Sequence, residues 1–351
     1  MQNYLKFYSL IGFLLMIFGS IFCLSAINWL WAWVGLELNL IGFVSLFFLN
    51  KKVSSSEAAM KYIIIQSVGS SLILFSSLFN LIHSSLWVIS SYAFDGLMSC
   101  LLLGALGVKL GLFPFYYWLP SVAKNCSMGI CMILLSWQKI APLGLIFIVY
   151  NLNLKSGWSV VLVMNLMCVI SSLIGGLGGM NSTHFRNIMA YSSINHSGWI
   201  VFGGMMNFSI SWVYMFIYVF TVIVIFFPFI LISFGNVKNL SVNNIGFYSY
   251  MFILLQLLSL GGLPPLLGFY GKLLIIMCGF SCFNSWIWIL ILILGSLFSL
   301  YYYLFLVFVF FINMIDLKNF VLFKNWSFNS LSFFVYMLVI LITFCPIIFV
   351  I

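Results

Sequence analysis

The sequence predicts an all-α polytopic membrane protein with about 11 transmembrane helices. Of the 351 residues, 65% are hydrophobic and only 5% are charged, and the mean hydropathy is +1.24. A soluble domain carries about 25% charged residues, so this composition excludes one. The apolar runs continue unbroken for about 20 residues, which is the length of a spanning helix. A transmembrane barrel would instead alternate apolar and polar residues in segments of about ten.

The apolar runs define the predicted spans. The longest polar connections between them are at 235–246 and 313–330. The spans cover roughly residues 6–26, 28–49, 58–82, 95–121, 128–150, 157–179, 185–206, 209–234, 247–282, 284–312 and 331–351. No connection is long enough to fold as a separate soluble domain. The sequence therefore predicts one transmembrane domain covering residues 1–351.

Two of the predicted spans are interrupted by residues that break helices. The fourth span contains Pro114 with Gly104, Gly107 and Gly111, and the ninth contains Pro264 and Pro265 with Gly261, Gly262, Gly268 and Gly271. Proline removes a backbone donor and glycine weakens a helix. On hydropathy alone, the ninth span could be counted as two crossings.

The basic residues of the loops decide that count. If the ninth span is one crossing, eight basic residues face the side of the N-terminus: Lys6, Lys51, Lys52, Lys124, Arg186, Lys238, Lys318 and Lys324. Lys155 alone faces the other side. Positive loops stay on the cytoplasmic or matrix side. We therefore expect eleven crossings, with the N-terminus on that side and Ile351 on the opposite side.

The first apolar run has an alternative interpretation as a cleaved signal peptide, because Leu24-Ser25-Ala26 ends with small residues, as signal-peptide cleavage sites do. Its basic region consists only of Lys6, and ten further spans follow, so a first membrane span is the better interpretation. An Arg-rich transit peptide is not expected either, so a location in an organelle would imply synthesis there.

The rare residue types indicate what the chain does not carry. The 8 Cys include no Cys-x-x-Cys pair, and among the 3 His only His196 is near the middle of a span. Haem and metal centres need several such ligands. Glu37 is the only carboxylate far from a span end, which disfavours a cation site built from oxygen ligands. The 13 basic residues form no patch for nucleic acid. Protons are therefore the expected cargo, with no metal or redox cofactor in this chain.

Five ionisable residues are predicted near the membrane midplane, namely Glu37, Lys109, Lys139, His196 and Lys272. A lysine at a helix centre costs roughly 2.5–3.5 kcal/mol to insert, which favours a function for these groups. Simpler roles stay open: the lysines could extend to the membrane surface and Glu37 could serve packing. His196 could be satisfied by Ser192 or Ser193.

The local backbone favours access of water to two of the lysines. Pro142 leaves the carbonyl of Gln138 without its helical donor, and Pro114 does the same for Leu110, the neighbour of Lys109. Free carbonyls at membrane depth persist only where protein or water surrounds them. Water is therefore expected near Lys109 and Lys139.

The order of the spans predicts two inverted repeats. Spans four and nine are both interrupted and lie five crossings apart, so they run in opposite directions. Span two carries Glu37 and span seven carries His196. We therefore expect one repeat at about 6–150, a second at about 157–312 and an additional helix at 331–351. Inverted repeats with broken helices are typical of transporters.

Five motifs resemble one known family. They are WVGLELN at 33–39, KLGLFPF at 109–115, WQKIAP at 137–142, SSINHSGW at 192–199 and GGLPPLLGFYGK at 261–272. The sequence is similar to the family of NADH dehydrogenase (ubiquinone) subunit 2 of mitochondrial respiratory complex I, in its short animal form. One departure is Tyr116, where the family often has His. Tyrosine, with a pKa near 10, is a poor proton carrier at neutral pH.

The resemblance implies an antiporter-like, proton-translocating subunit of the membrane arm in the mitochondrial inner membrane. It assigns proton translocation to Glu37, Lys109, Lys139, His196 and Lys272. It also implies that NADH, FMN, iron–sulfur clusters and ubiquinone belong to partner subunits, with no cofactor in this chain. The expected partners are other membrane-arm subunits of complex I, neighbouring antiporter-like subunits among them, and lipids such as cardiolipin.

A movable ion pair is the expected mechanism. With Lys109 close to Glu37, Lys139 can hold a proton; when Lys109 moves toward Lys139, it repels that proton toward His196 and Lys272. A free-standing proton/cation antiporter and a purely structural membrane-arm subunit are the two alternatives. The antiporter should have more than one membrane carboxylate, and the structural subunit should assemble without the lysines.

Overall fold

The computed structural model is α-helical, as the composition predicts. It describes residues 2–47, 53–84, 88–89, 96–153, 158–234, 247–264, 266–280 and 286–315. Within these ranges, β pairing is limited to an isolated bridge between Asn28 and Val88. The predicted last span and six loop lysines lie outside the described residues: Lys51, Lys52, Lys155, Lys238, Lys318 and Lys324.

The helices of the first half lie at the first five predicted spans. They are α1 (Gln2–Ser25), α2 (Trp29–Phe47), α3 (Val53–Ser84), α4 (Gly96–Leu110), α5 (Trp118–Asn125), α6 (Met128–Leu135), the 3₁₀-helix η1 (Trp137–Lys139) and α7 (Ile140–Asn153). The fourth predicted span is thus two helices separated by residues 111–117. The fifth is also divided, because η1 separates α6 from α7.

The helices of the second half lie at predicted spans six to ten. They are α8 (Trp158–Met180), α9 (Phe185–Met206), α10 (Phe208–Phe234), α11 (Phe247–Gly261), α12 (Leu267–Phe280) and α13 (Trp286–Ile315). The ninth predicted span is again two helices, since α11 and α12 are separated by residues 262–266. The structure therefore confirms both interruptions that glycine and proline predicted.

Six helical segments of the described ranges are long and apolar enough to cross a membrane. They are Trp29–Phe47, Val53–Ile82, Met128–Asn151, Val160–Met180, Phe208–Ile230 and Trp286–Ile312. Four shorter apolar segments accompany them: Ser9–Ser25, Gly96–Leu110, Phe252–Gly261 and Leu267–Phe280. The chain is therefore a multi-pass membrane protein, and the count of eleven crossings stays a prediction.

Helix α9 lies at the centre of the bundle. Its residues are buried almost without interruption from Ile188 to Gly204. It contacts α5, α6 and α7 from the first half and α8, α10, α12 and α13 from the second. Its 22 residues are long enough to span a membrane, but the helix is too polar to be among the six long apolar segments. A polar helix in this position is stable because protein rather than lipid surrounds it.

Two pairs of helices, α1 with α2 and α8 with α9, pack with their backbones in close contact. A Cβ added at Gly35 of α2 would lie 2.7 Å from the backbone nitrogen of Cys23 in α1. In the second half, a Cβ at Gly175 of α8 would lie 2.6 Å from the backbone nitrogen of Asn195 in α9. Small residues allow such packing where apolar burial gives no driving force.

The start of α9 and the end of α5 lie on the same side of the bundle. The guanidinium of Arg186 donates a hydrogen bond to the backbone carbonyl of Cys126. Lys124, two residues before Cys126, is exposed. This contact supports the prediction that Lys124 and Arg186 face the same side of the membrane.

The break in the fourth predicted span has a left-handed glycine cap. Gly111 has φ of +73°, and its N–H bonds the carbonyl of Val108 (3.2 Å). The N–H of Leu112 bonds the carbonyl of Gly107 (3.0 Å), and the N–H of Phe115 bonds that of Leu112 (2.7 Å). This pattern satisfies the last carbonyls of a helix and then turns the chain.

The break in the ninth predicted span has the same hydrogen bonds. Gly262 has φ of +82°, and its N–H bonds the carbonyl of Ser259 (3.0 Å). The N–H of Leu263 bonds the carbonyl of Leu258 (3.4 Å), and that of Leu266 bonds Leu263 (2.9 Å). The two breaks therefore share the same kind of glycine cap, and the inverted repeat stays a prediction.

Replacing Gly262 with alanine is expected to destabilise the protein. A side chain in the left-handed region costs roughly 1–2 kcal/mol, and the new Cβ would lie 2.9 Å from Lys272 Nζ. The matched control is Gly104→Ala, because an added Cβ at this position in α4 meets nothing within 4 Å. Heat-induced unfolding of the purified protein should show a lower midpoint for Gly262→Ala only. Equal midpoints for the two variants would contradict the cap.

Candidate functional site

Four of the five residues predicted at the midplane lie inside the bundle. Lys109, Lys139, His196 and Lys272 are each at most 7% exposed, whereas Glu37 is half-buried on α2. The lysines therefore do not extend to the membrane surface, and that alternative is wrong. A buried ammonium must find hydrogen-bond partners or water inside the protein.

Lys109 and Lys139 line one cavity. The cavity has a volume of about 20 Å³, room for about one water molecule, and four neutral polar side chains also line it: Asn39, Tyr62, Gln66 and Gln138. A polar space with several hydrogen-bonding groups can hold ordered water. The structure thus brings together the two lysines near which the sequence predicted water.

Lys109 lies in the last turn of α4, directly before the break. Its backbone carbonyl accepts a hydrogen bond from Gln66 Nε2 (3.3 Å), and the carbonyl of Val108 accepts one from Trp118 Nε1 (3.0 Å). Side chains thus satisfy two carbonyls at the helix end. The negative end of the helix dipole also favours a cation there.

Glu37 and Lys109 are separated in this structure. In the described part of the chain, the ion pair within 4.0 Å is between Lys61 and Glu57, at 2.6 Å on the exposed face of α3. Glu37 and Lys109 are still close enough to interact electrostatically. The structure therefore shows no direct ion pair between Glu37 and Lys109, and the movable pair stays a prediction.

Lys139 points away from η1 toward α9. Its Nζ donates to the backbone carbonyl of Ser193 (2.7 Å) and lies 5.5 Å from the centre of the Tyr218 ring. A carbonyl and an aromatic face both stabilise an ammonium. Lys139 therefore links the cavity of the first half to the polar helix α9.

His196 is positioned by a tyrosine of α10. Its Nδ1 lies 2.8 Å from the Tyr214 hydroxyl, and its ring packs 5.1 Å from that of Tyr218. The alternative in which Ser192 or Ser193 satisfies His196 is not observed, because both hydroxyls donate to carbonyls in the preceding turn of α9. His196 Nε2 has no hydrogen-bond partner among the described residues, so this atom is available to water or a proton donor.

Lys272 reaches back across the second break. It lies in α12, and its Nζ donates to the carbonyl of Gly261, the last residue of α11 (3.2 Å). Lys109 and Lys272 thus both lie at the C-terminal end of the first half-helix of a break. Lys109 belongs to the half-helix before its break, α4. Lys272 belongs to the half-helix after its break, α12, and reaches back to the end of α11.

Sequence reasoning missed the neutral groups of the site. Tyr214 and Tyr218 are fully buried beside His196, and Gln66 holds the end of α4. Gln66 and Gln138 could have been found as rare amides within apolar spans, whereas Tyr214 has no comparable sequence signal.

Tyr116, the departure from the family pattern, lies in the turn that begins α5. Its ring stacks 4.0 Å from that of Tyr117, and its carbonyl accepts a hydrogen bond from the N–H of Leu119 (3.1 Å). Among the described residues, no three His, Cys, Asp or Glu side chains lie together in a metal-binding group.

Comparison with known proteins identifies the family. A family model described as NADH:quinone oxidoreductase/Mrp antiporter, TM, matches residues 26–299. The NADH-ubiquinone oxidoreductase chain 2 of Polypterus ornatipinnis is 37% identical over 289 residues, which are 82% of this chain and 81% of that protein. This chain belongs to the NADH-ubiquinone oxidoreductase chain 2 family. Membership agrees with the resemblance carried by the five motifs.

Solved structures share the fold of this chain-2 family member. A chain of respiratory complex I from Thermus thermophilus has a TM-score of 0.73 and 22% identity, and the match covers 85% of this chain and 69% of that one. A chain of the Mrp complex from Dietzia sp. has a TM-score of 0.75 and 18% identity, covering 83% and 58% respectively. At these identities the similarity establishes the fold alone.

Removing the Tyr214 hydroxyl is expected to destabilise the protein. In Tyr214→Phe the buried Nδ1 of His196 loses its partner, which costs roughly 1–3 kcal/mol. Tyr301→Phe is the matched control, because Tyr301 is 59% exposed on α13. Denaturant unfolding should show a lower midpoint for Tyr214→Phe and no change for Tyr301→Phe. An unchanged midpoint for both would show that the hydrogen bond carries no stability.

Proposed function

We propose that this chain is a proton-translocating subunit of the membrane arm of NADH:ubiquinone oxidoreductase. It couples the oxidation of NADH by partner subunits to proton pumping, and it is thereby part of an enzyme. The observation that carries the transport role is the polar cavity shared by the buried lysines Lys109 and Lys139. Membership of the chain 2 family supports the assembly.

Transfer begins at the Glu37–Lys109 pair. When Lys109 approaches Glu37, its charge is offset and Lys139 can hold a proton. When Lys109 turns into the cavity, two ammonium groups share one small enclosed space, and their repulsion favours release of a proton from Lys139. The separation of Glu37 and Lys109 by more than 4.0 Å supports the existence of the second arrangement.

The proton leaves Lys139 along α9. Ser193, whose carbonyl holds Lys139, lies one turn before His196, whose Nε2 is unpartnered among the described residues. Lys272 receives the proton at the second break. Moving one proton across the membrane costs about 2.3 kcal/mol per 100 mV, so the energy must come from partner subunits.

The finer organisation belongs to the same proposal. The chain forms eleven crossings in two inverted repeats, at about 6–150 and 157–312, followed by the helix at 331–351. It lies in the mitochondrial inner membrane with its N-terminus on the matrix side and its C-terminus on the other. The matched breaks at Gly111 and Gly262 support the repeat.

Cofactors and partners follow from the assembly. NADH, FMN, iron–sulfur clusters and ubiquinone are held by partner subunits, and this chain carries protons without a cofactor. It contacts other membrane-arm subunits, including antiporter-like ones, and lipids such as cardiolipin. A half-buried Glu37 on the surface of the isolated chain suits a contact with such a neighbour.

Replacing Lys139 with methionine tests the transport role. The variant keeps the length and apolar packing of the side chain but cannot hold a proton. In the assembled complex, we expect fewer protons pumped per NADH oxidised. The control is Lys61→Met, because Lys61 is exposed and paired with Glu57 on α3. Unchanged proton stoichiometry in Lys139→Met would refute the role of this lysine.

Native sizing separates the proposed subunit from a free-standing antiporter. Membranes solubilised in mild detergent are separated on a native gel, and this chain is detected with an antibody. We expect it to migrate with a very large assembly that oxidises NADH in the gel. Migration at the 40.0 kDa of the single chain would favour the antiporter.

A further inference from the structure

A chain of three hydrogen-bonded neutral side chains lines the cavity that Lys109 and Lys139 share. Gln138 Nε2 donates to Asn39 Oδ1 of α2 (3.0 Å), and Gln138 Oε1 accepts a hydrogen bond from the Tyr62 hydroxyl of α3 (3.3 Å). The side chain of Gln138 thus joins two helices of the first half, and both ends of its amide are engaged.

Gln138 and Lys139 are neighbours in η1 but contact opposite halves of the protein. Gln138 binds α2 and α3, whereas Lys139 binds the carbonyl of Ser193 in α9. Adjacent residues of a 3₁₀-helix point about 120° apart. Because η1 has only three residues, a rotation that moves Gln138 also moves Lys139.

The same polar chain reaches the elements that carry Glu37 and Lys109. Asn39 lies two residues after Glu37 on α2. Tyr62 lies one turn before Gln66, which donates to the backbone carbonyl of Lys109. A shift of α2 or of the end of α4 is therefore transmitted to the partners of Gln138.

We propose that Gln138 is a positioning residue that transmits movement at the Glu37–Lys109 pair to Lys139. This inference rests on the proposed function. The Tyr62 hydroxyl and the amides of Gln138 and Asn39 can each exchange donor and acceptor roles. A half-turn of the amides reverses both hydrogen bonds without moving charge. The polar chain therefore has two complete arrangements, which a coupling element requires.

An exchange of the two amides tests the coupling in the assembled complex. Gln138→Asn and Asn39→Gln each misplace one amide, and the double variant restores one long and one short amide across the same gap. Each single variant should lower the proton pumping rate at saturating NADH by about tenfold, the factor of one ordinary hydrogen bond. The double variant should recover most of that rate.

Gln138→Leu and a matched control separate positioning from stability. Gln138→Leu should lower the protons pumped per NADH and shift the pH profile of pumping. Asn165→Leu, at a buried amide of α8 whose Oδ1 has no partner among the described residues, should change neither. If Gln138→Leu fails to assemble, the amide exchange decides: no recovery in the double variant overturns the proposal.

The two proposals fail differently. If Lys139→Met lowers the proton stoichiometry while Gln138→Leu and the single amide variants pump normally, only the positioning role is wrong. If Lys139→Met itself pumps normally, the proposed function is wrong. A lower thermal stability with unchanged protons per NADH would mark Gln138 as purely structural and would overturn the inference.

Discussion

The structure depends on one constraint, which is that polar backbone groups inside a membrane must find partners within the protein. At each helix break, a glycine cap pairs the last carbonyls of the first half-helix. Two lysines also use these ends: Lys109 lies in the last turn of α4, and Lys272 donates to the carbonyl of Gly261. A buried cation and a helix end that needs donors stabilise each other, so the breaks and the charges are parts of one arrangement.

The packing of helix α9 follows from the same constraint. Its polar residues would be costly against lipid, and the helices of both halves surround it. The backbone of Ser193 provides the acceptor for Lys139, and the buried Tyr214 provides the partner for His196. This polar helix thus lies between the two halves.

Sequence patterns predicted the local features of the fold and missed the distant ones. Apolar runs gave the positions of the described helices, and glycine and proline gave both breaks, because these properties depend on neighbours in the chain. The partners of Lys139 and Gln138 lie 54 and 99 residues away, beyond any periodicity. For His196, chain neighbours were one of two open interpretations, and serines in a helix bond the preceding turn instead. The cavity and its amides depend on tertiary packing, which no local sequence pattern predicts.

The different origins of the two lysines have a consequence for length variation in this chain. Lys109 precedes its break, so a residue inserted between α4 and α5 leaves Lys109 in register with the end of its own half-helix. Lys272 follows its break and must return to Gly261 across residues 262–271. One inserted or deleted residue there would rotate α12 by about 100° and carry the ammonium away from its carbonyl. The contact between Lys272 and Gly261 therefore constrains the length of the loop between α11 and α12. This length should vary less than that of the loop between α4 and α5.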